Sequence, residues 1–344
     1  MNIYTRPDLD PYEPRTGVDL YGEVAPRIVM PSNVPCLIYG IGIARSGTTV
    51  SLNVMTSSDA VDAEGHHHPI HGSYQHFKAG YRHAMHGWPN DTDEKRWTFH
   101  IPDASESPVF YVKDPLGPYT HTESIYNPLE LLKMKDYPKE RLFLEFFFRD
   151  PQEILASWKR NWGRVRDPEV LRANLITSCH TLRNIHDQAV REGYAHDIYL
   201  YEGIRDHPPE TVVGSMFDHI NAHMTHHTGM KLVMTDHTVG GWNAEEKKRI
   251  WHPDEPAIYE REEIAALHSA AKTSEELRYK QYSPKDLSAL LTAQDMRELE
   301  RGGVYHEYEY FRAEYEHAHG LEVRRLEDLP PTIQEGIPGA KERR

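Results

Sequence analysis

Continuous apolar runs alternate along this chain with segments whose apolar residues recur at helical spacing. Residues 36–41 form a continuous apolar run between Pro35 and glycines, which is typical of a strand buried on both faces of a parallel sheet. Further β-rich runs lie at residues 110–112, 142–148 and 197–202, and a segment with a helical pattern follows each of them. The alternation predicts an α/β fold in which a central parallel sheet is flanked by helices.

Capping signals predict where several helices begin and end. Asp150 precedes Pro151, so this pair supplies an N-cap side chain and a proline at the first helical position. Asp167 and Pro168 repeat the signal at the start of a long helix. Residues 260–320 also show a helical pattern, so we expect extra helices at the C-terminal end of the fold.

Changes in composition divide the chain into four parts. They are an extended N-terminal arm (1–33), a core (34–260), a helical C-terminal extension of the same domain (261–327) and a mobile tail (328–344). The arm and the tail are rich in proline and polar residues, so we expect neither to form a packed core of its own. The helical extension is interpreted as a surface for the substrate or for a homodimer.

The charge balance limits the partners of this protein. The 344 residues include 39 basic and 53 acidic side chains, and the net charge is -14. A strongly negative field repels polyanions, so neither nucleic acid nor an anionic membrane surface is an expected partner. The two cysteines predict no disulfide framework. There is no signal-peptide pattern, and the longest apolar run is too short to cross a bilayer, so we expect a cytoplasmic location.

A glycine-rich turn follows the first buried strand and precedes a helical segment. This order points backbone N–H groups and the positive end of a helix towards a phosphate. Gly42, Gly47 and Thr49 fit the nucleotide-triphosphate loop G-x-x-x-x-G-K-S/T, but Thr48 stands where its lysine belongs. The missing lysine argues against an ordinary ATPase or kinase, while Arg45 supplies a cation within the loop.

The same turn carries a family resemblance. Residues 43–49, Ile-Ala-Arg-Ser-Gly-Thr-Thr, resemble the 5′-phosphosulfate loop of the sulfotransferases that use 3′-phosphoadenosine 5′-phosphosulfate (PAPS). The arginine form is typical of the tyrosylprotein and carbohydrate branches, and Ala44 replaces the family's proline. The resemblance implies that backbone amides hold the 5′-phosphate, at four residues: Ser46, Gly47, Thr48 and Thr49.

A second motif resembles the segment of these enzymes that binds the 3′-phosphate. Arg149 ends a predicted strand and is followed by Asp150-Pro151, and Ser157 lies about two turns into the helix that follows. An arginine offers a planar fork to phosphate oxygens, and a serine adds a hydroxyl donor. The resemblance implies that Arg149 and Ser157 distinguish PAPS from ATP.

Two further residues are implied as catalytic by the resemblance. Lys113, followed by Asp114-Pro115, comes after a short predicted strand and corresponds to the lysine that touches the transferring sulfuryl group. Glu64 lies at about the distance from Arg45 at which those branches place a catalytic glutamate, at the end of the second strand, where it acts as general base. The neighbouring His66, His67 and His68 are rival bases, because other branches use a histidine.

The resemblance implies transfer of a sulfuryl group from PAPS to a hydroxyl of a small-molecule acceptor, with release of 3′,5′-adenosine bisphosphate. Arg45 and Lys113 would offset the charge of the transferring group, and no metal is required. The acceptor class stays open among natural products, phenols, sugars and lipids, and the aromatic residues within 74–99 favour a hydrophobic or phenolic one. Three alternatives remain: a P-loop kinase acting on a small alcohol, a catalytically inactive nucleotide-binding protein and a histidine-rich metal protein.

Overall fold

A computed structural model describes residues 17–88, 98–242, 248–251, 277, 279, 282 and 284–324 of the chain. The mobile tail predicted for 328–344, and the parts of the arm and the helical extension at 1–16 and 261–276, lie outside the described residues. Within the described part, no helix has both the length and the apolar character that crossing a membrane requires.

The described strands lie between residues 28 and 251. In chain order they are β1 (Ile28–Val29), β2 (Cys36–Ile43), β3 (Asp59–Val61), β4 (His67–Pro69), β5 (His71–Tyr74), β6 (Phe99–His100), β7 (Val109–Leu116), β8 (Leu142–Phe148), β9 (Ala195–Leu200), β10 (Lys231–Val233) and β11 (Ile250–Trp251).

The described α-helices follow or precede these strands. In chain order they are α1 (Leu20–Val24), α2 (Thr48–Thr56), α3 (His76–His86), α4 (His121–Ser124), α5 (Pro128–Met134), α6 (Pro151–Trp162), α7 (Pro168–Glu192), α8 (Gly203–Asp206), α9 (Pro209–Thr228), α10 (Pro284–Leu290), α11 (Ala293–Arg301) and α12 (Val304–His319).

The central sheet has six strands in the order β11-β5-β7-β2-β8-β9, and all of its pairings are parallel. Every residue of β2, β7 and β8 is buried, which explains why their sequences are apolar along almost their whole length. One hydrophobic cluster, beneath α3, α6, α7 and α12, covers one face of the sheet, and another, beneath α2 and α9, covers the other. The predicted α/β fold with a parallel sheet is therefore confirmed.

Two small sheets lie beside the central one. β3 and β4 form an antiparallel hairpin, and β10 pairs with the outer side of β3. β1 pairs in parallel with β6. The hairpin lies between α2 and β5, so the chain completes it before it enters the second strand of the central sheet.

Local signals set the helix ends largely as expected. The carboxylate of Asp150 accepts hydrogen bonds from the N–H groups of Gln152 and Glu153, and so caps α6. Asp167 caps α7 in the same way, and Gly193 ends it with a φ of 67°. The prediction of an extended N-terminal arm is wrong for Leu20–Val24. These residues form a short helix that Asp19 caps, and Leu20 and Val24 are buried.

The C-terminal helices are tied to α6 and α7 by ion pairs. Asp295 forms a capping box with Thr292 at the start of α11, and its carboxylate also lies 2.5 Å from Lys159 Nζ and 2.9 Å from Arg172 Nη1. On α12, Phe311 and Tyr315 are buried in the core. These aromatic side chains therefore face the protein interior.

Candidate active site

The loop between β2 and α2 has an unusual backbone conformation. Arg45 has a φ of 78°, a left-handed conformation that costs a non-glycine residue about 1 kcal/mol. Gly47 has a φ of 98°, and a Cβ atom added there would lie 2.5 Å from the ring of Tyr201. A strained arginine and an obligatory glycine keep the loop close against Tyr201, the residue after β9, and turn it towards the start of α2.

The start of α2 offers polar groups that no side chain of the loop satisfies. The N-cap residue of this helix is Gly47, which has no side chain to cap it. The hydroxyl of Ser46 is fully buried and has no hydrogen-bond partner among the described residues. The N–H of Ser46 already donates to the carbonyl of Ile43 at 3.0 Å, because the turn closes on itself. Ser46 therefore offers its hydroxyl rather than the predicted amide, and the arrangement fits an anion.

Lys113 lies next to this loop. It belongs to β7, which continues through Asp114 and Pro115 to Leu116, so the lysine lies within the strand rather than after it. Its Nζ donates to Thr49 Oγ1 at 3.0 Å and lies 3.9 Å from the ring centre of Tyr74. Burial, followed by the charge of Lys78, holds the pKa of Lys113 well below its usual value. Among the described residues, no carboxylate forms an ion pair with Lys113.

Arg45 joins the two sequence motifs. Its Nε donates to Ser157 Oγ on α6 at 3.0 Å, and Asn161 Nδ2 donates to the same hydroxyl at 3.2 Å. Trp158 of the same helix donates its indole N–H to the carbonyl of Ala44 at 2.8 Å. Burial lowers the pKa of Arg45, and no carboxylate within the described part of the chain pairs with it. Two segments far apart in sequence thus form one polar site.

A small cavity of about 50 Å³ opens between these groups. It lies at the carboxyl ends of β2, β5 and β7, where parallel sheets bind their ligands. None of the described residues that line it is a carboxylate. They are Ala44, Arg45, Thr49, Tyr74, Gln75, Arg82, Lys113, Pro115, Gly117, Pro118, Tyr119 and Trp162.

Arg149 lies on the far side of Arg45 and is already paired. Its Nε and Nη2 donate to Glu153 Oε2 at 2.9 and 2.5 Å, and its Nη1 donates to the carbonyl of Arg45 at 3.4 Å. Burial alone would lower the pKa of Arg149, but Glu153 raises it above its usual value. Burial raises the pKa of Asp150 to about 6 and that of Glu202 to about 7. The acidic side chains of Glu153, Asp150 and Glu202 thus surround Arg149, the residue that was predicted to bind the 3′-phosphate.

Glu64 lies in an exposed turn between β3 and β4, and its N–H donates to Asp62 Oδ1 at 3.0 Å. The strand that precedes it belongs to the small sheet, whereas the central-sheet strand after the loop is β5. The residue count from Arg45 that predicts the catalytic glutamate therefore leads to the β3–β4 hairpin, which precedes β5. No described contact joins Glu64 to the lining residues of the cavity, and its catalytic role stays a prediction.

The rival histidines also lie on this hairpin. His66 and His68 bond to Asp62 Oδ2, each at 3.1 Å, and His67 bonds to Asp59 Oδ2 at 3.1 Å. Asp62, Glu64 and His66 bring ligand atoms within 4.8 Å of one another, but Glu64 and His66 are exposed, and clusters of this kind are common without a metal. The hairpin histidines are therefore accounted for by their aspartate partners.

Gln75 is a site residue that the sequence interpretation missed. It follows β5 directly, lines the cavity and is 2% exposed, and its Oε1 has no hydrogen-bond partner among the described residues. Its φ of 56° is left-handed, and its N–H donates to the carbonyl of Lys113 at 2.8 Å. The signal available in the sequence was a strand-to-helix junction at residues 74–76.

The backbone strain at Gln75 can be measured. We expect Gln75→Gly to be more stable than Gln75→Ala by about 1 kcal/mol, because both variants lose the amide but only glycine adopts a positive φ without a steric cost. Urea unfolding of the two variants measures the difference. Equal stabilities, or a more stable alanine variant, would show that this residue is not held in a left-handed conformation.

Comparisons with known proteins add little to what the geometry of the site indicates about function. No protein-family model matches the chain, and no curated protein sequence matches it. Among solved structures, the chain is similar to the crystal structure of sulfotransferase STF9 from Mycobacterium avium. The identity is 15%, the match covers 81% of this chain and 76% of that one, and the TM-score is 0.38. A likeness this distant assigns neither a family nor an activity.

Proposed function

We propose that this protein transfers a sulfuryl group from PAPS to a hydroxyl of a small-molecule acceptor and releases 3′,5′-adenosine bisphosphate. The observation that carries the proposal is the convergence of Arg45, Thr49 and Lys113 on one cavity, with Arg45 bonded to Ser157 of the second motif. A buried lysine and a half-buried arginine without carboxylate partners in the described chain are costly unless an anion joins them.

The lining of the cavity favours sulfuryl over phosphoryl transfer. A kinase of this loop type holds Mg²⁺ with a hydroxyl and a carboxylate and reaches the β- and γ-phosphates with the loop lysine. Here Thr48 replaces that lysine, and the part of the cavity lining that the structure describes contains no carboxylate. Magnesium prefers oxygen ligands that include carboxylates, so this cavity is poorly suited to Mg-ATP.

The polar groups of the site each have a role in the proposed reaction. The donor supplies an activated sulfuryl group, which leaves an oxygen of the 5′-phosphate. The start of α2, with the hydroxyls of Ser46, Thr48 and Thr49, binds that phosphate. Arg45 and Lys113 offset the negative charge that develops on the oxygens during transfer. Arg149 and Ser157 bind the 3′-phosphate.

The acceptor hydroxyl has to lose a proton during the transfer. Glu64 is the proposed base on the strength of the sequence resemblance, although its exposed turn gives it no described contact with the cavity. Gln75 lines the cavity and presents an unpartnered carbonyl oxygen, so it is suited to accept a hydrogen bond from the acceptor hydroxyl, but not to remove the proton. We therefore propose Gln75 as a positioning residue.

A thermal-shift titration tests the donor. We expect 3′,5′-adenosine bisphosphate to raise the melting temperature more than 5′-AMP does at equal concentration, with no effect of EDTA. A ligand at 100 times its Kd stabilises the folded state by about 2.7 kcal/mol, so binding is easily detected. Mg-ATP serves as the comparison ligand, because it is the substrate of the alternative kinase.

The outcomes separate the alternatives. A shift with Mg-ATP alone, abolished by EDTA, would contradict the proposal and favour the kinase. Absence of any shift would rule out an adenosine phosphate as ligand. A shift with the bisphosphate, but no transfer of ³⁵S from labelled PAPS to any acceptor in a screen of phenols, sugars and lipids, would favour an inactive nucleotide-binding protein.

A further inference from the structure

Several hydrogen-bond donors converge on the carboxylate of Glu153, which lies in the first turn of α6 and is 4% exposed. Arg149 donates to Oε2 through Nε and Nη2, at 2.9 and 2.5 Å. The hydroxyl of Tyr279 donates to the same oxygen at 2.6 Å, and the N–H of Tyr282 donates to Oε1 at 3.4 Å. Glu153 thus fills a built anion site.

This set of donors suits a phosphate as well as a carboxylate. A guanidinium fork, a phenol hydroxyl and a backbone N–H are the groups that bind phosphate oxygens in proteins. They come from two distant parts of the chain: Arg149 follows β8, whereas Tyr279 and Tyr282 precede α10. The carboxylate of Glu153 is the anion that holds these parts together.

The site also adjoins the phosphate loop. Arg149 Nη1 donates to the carbonyl of Arg45 at 3.4 Å, and the guanidinium of Arg149 lies 4.8 Å from the ring centre of Tyr201, the ring that Gly47 approaches. Ser157, one helical turn after Glu153, bonds to Arg45. An anion bound by Arg149 is therefore a direct neighbour of the loop proposed to hold the 5′-phosphate.

A second anion cannot join Glu153 at this place without strong repulsion. The fork of Arg149 is occupied by Glu153 Oε2, and the carboxyl groups of Asp150 and Glu202 also lie nearby. Asp150 Oδ1 accepts from the N–H of Glu153 at 3.1 Å, and Glu202 Oε1 lies 3.4 Å from the hydroxyl of Tyr279. Like charges that share a buried site oppose each other strongly. The arriving phosphate and Glu153 therefore compete for one set of donors.

We propose that Glu153 is an internal substitute for the 3′-phosphate of the donor, and that PAPS binds by displacing this carboxylate from Arg149, Tyr279 and Tyr282. The proposal rests on the proposed function, because it requires a donor with a 3′-phosphate. It makes Tyr279 and Tyr282 ligands of that phosphate. It also makes Glu153 a residue that determines specificity. The strength of its interaction with Arg149 determines how much a 3′-phosphate increases the affinity of the protein for a nucleotide.

Calorimetric titration of the wild-type protein and the Glu153→Gln variant tests this competition. Each protein is titrated with 3′,5′-adenosine bisphosphate and with 5′-AMP, and the ratio of the two Kd values is the readout. We expect Glu153→Gln to tighten binding of the bisphosphate about tenfold and to change binding of 5′-AMP by less than twofold, because only the bisphosphate competes for Arg149.

A matched control is available in the next helix. Glu169 lies in the first turn of α7, as Glu153 lies in the first turn of α6, and it is exposed. Glu169→Gln makes the same change in net charge, also in the first turn of a helix, and we expect it to leave both Kd values unchanged. A ratio that changes equally in both variants would reduce the effect to general electrostatics and overturn the proposal.

The remaining outcomes are also decisive. If Glu153→Gln binds the bisphosphate no more tightly than the wild type does, the proposal fails while the proposed function stands. If neither protein binds either nucleotide, both fail. Where Glu153→Gln does not fold alone, it is refolded with each nucleotide. Recovery of the native circular dichroism spectrum with the bisphosphate but not with 5′-AMP supports the proposal that Glu153 takes the place of the 3′-phosphate. Equal recovery with both nucleotides, or no recovery, overturns it.

Discussion

Replacing Lys113 with methionine is expected to lower the rate of sulfuryl transfer by about 100- to 1,000-fold, the usual cost of removing one group that stabilises charge in a transition state. The melting temperature should stay unchanged or rise. Lys113 is 2% exposed, and the described structure gives its ammonium one hydrogen bond, to Thr49. Replacing a buried cation that lacks a carboxylate partner with an apolar side chain removes a desolvation cost, so activity and stability should change independently.

A second buried lysine provides the control. Lys78 is fully buried, and its Nζ donates to the carbonyls of Pro115 and Gly117. Lys78→Met leaves these carbonyls without that donor, so we expect it to destabilise the fold by about 2–4 kcal/mol. Initial rates with labelled PAPS and thermal unfolding are measured for both variants. A Lys113→Met variant that loses as much stability as Lys78→Met would indicate a structural lysine and contradict the proposed role.

The Glu145→Gln variant should be more stable than the wild type at alkaline pH, by an amount on the order of a few kcal/mol. Glu145 lies in the middle of β8, opposite Gly40 of β2 and Asp197 of β9. Burial, followed by the charge of Asp197, raises its pKa from 4.5 to about 8. The described residues provide no cation that forms an ion pair with it.

The direction of the pH dependence follows from that raised pKa. Between pH 4.5 and about 8 the folded protein keeps a proton on Glu145 that the unfolded chain has lost. The free energy of unfolding therefore falls by about 1.4 kcal/mol per pH unit as the pH rises through this window, and levels off above it. Glutamine does not titrate, so this contribution disappears from the variant.

Urea unfolding at pH 5, 7 and 9 measures the effect. We expect the stabilities of wild type and Glu145→Gln to be similar at pH 5 and to diverge steadily towards pH 9. Titrating groups that do not interact with Glu145 contribute equally to both proteins and cancel in the difference. A difference that stays constant with pH would mean that the carboxyl group of Glu145 is ionised throughout, and would contradict the expected proton uptake.

Much of the fold could be predicted because its signals are local. A continuous apolar run such as 36–41 can be satisfied only by a strand covered on both faces, and the six-stranded parallel sheet confirms this. The cap formed by Asp150 depends on the two residues that follow it, so it could be predicted from the sequence around it. The glycine turn at 42–47 was predicted for the same reason.

The site was harder to predict because its geometry depends on distant parts of the chain. The β3–β4 hairpin lies between α2 and β5, so a residue count from Arg45 led to Glu64 and passed over Gln75. The bond between Arg149 and Glu153 links residues only four positions apart, across the N-cap of α6, so it is local in the sequence. The contacts of Tyr279 and Tyr282 with Glu153 join segments more than a hundred residues apart, which no local pattern indicates.

The position of β2 has a consequence for how the chain acquires its fold. This strand leaves the ribosome before both of its neighbours, since Cys36 pairs with Val109 of β7 and Leu37 pairs with Leu142 of β8. Long-range parallel pairing is slow, because the loop must close before any contact forms. During synthesis both hydrogen-bonding edges of the apolar strand β2 therefore stay unpaired until β7 and β8 have been made. We expect the nascent chain to depend on chaperones until β8 has emerged.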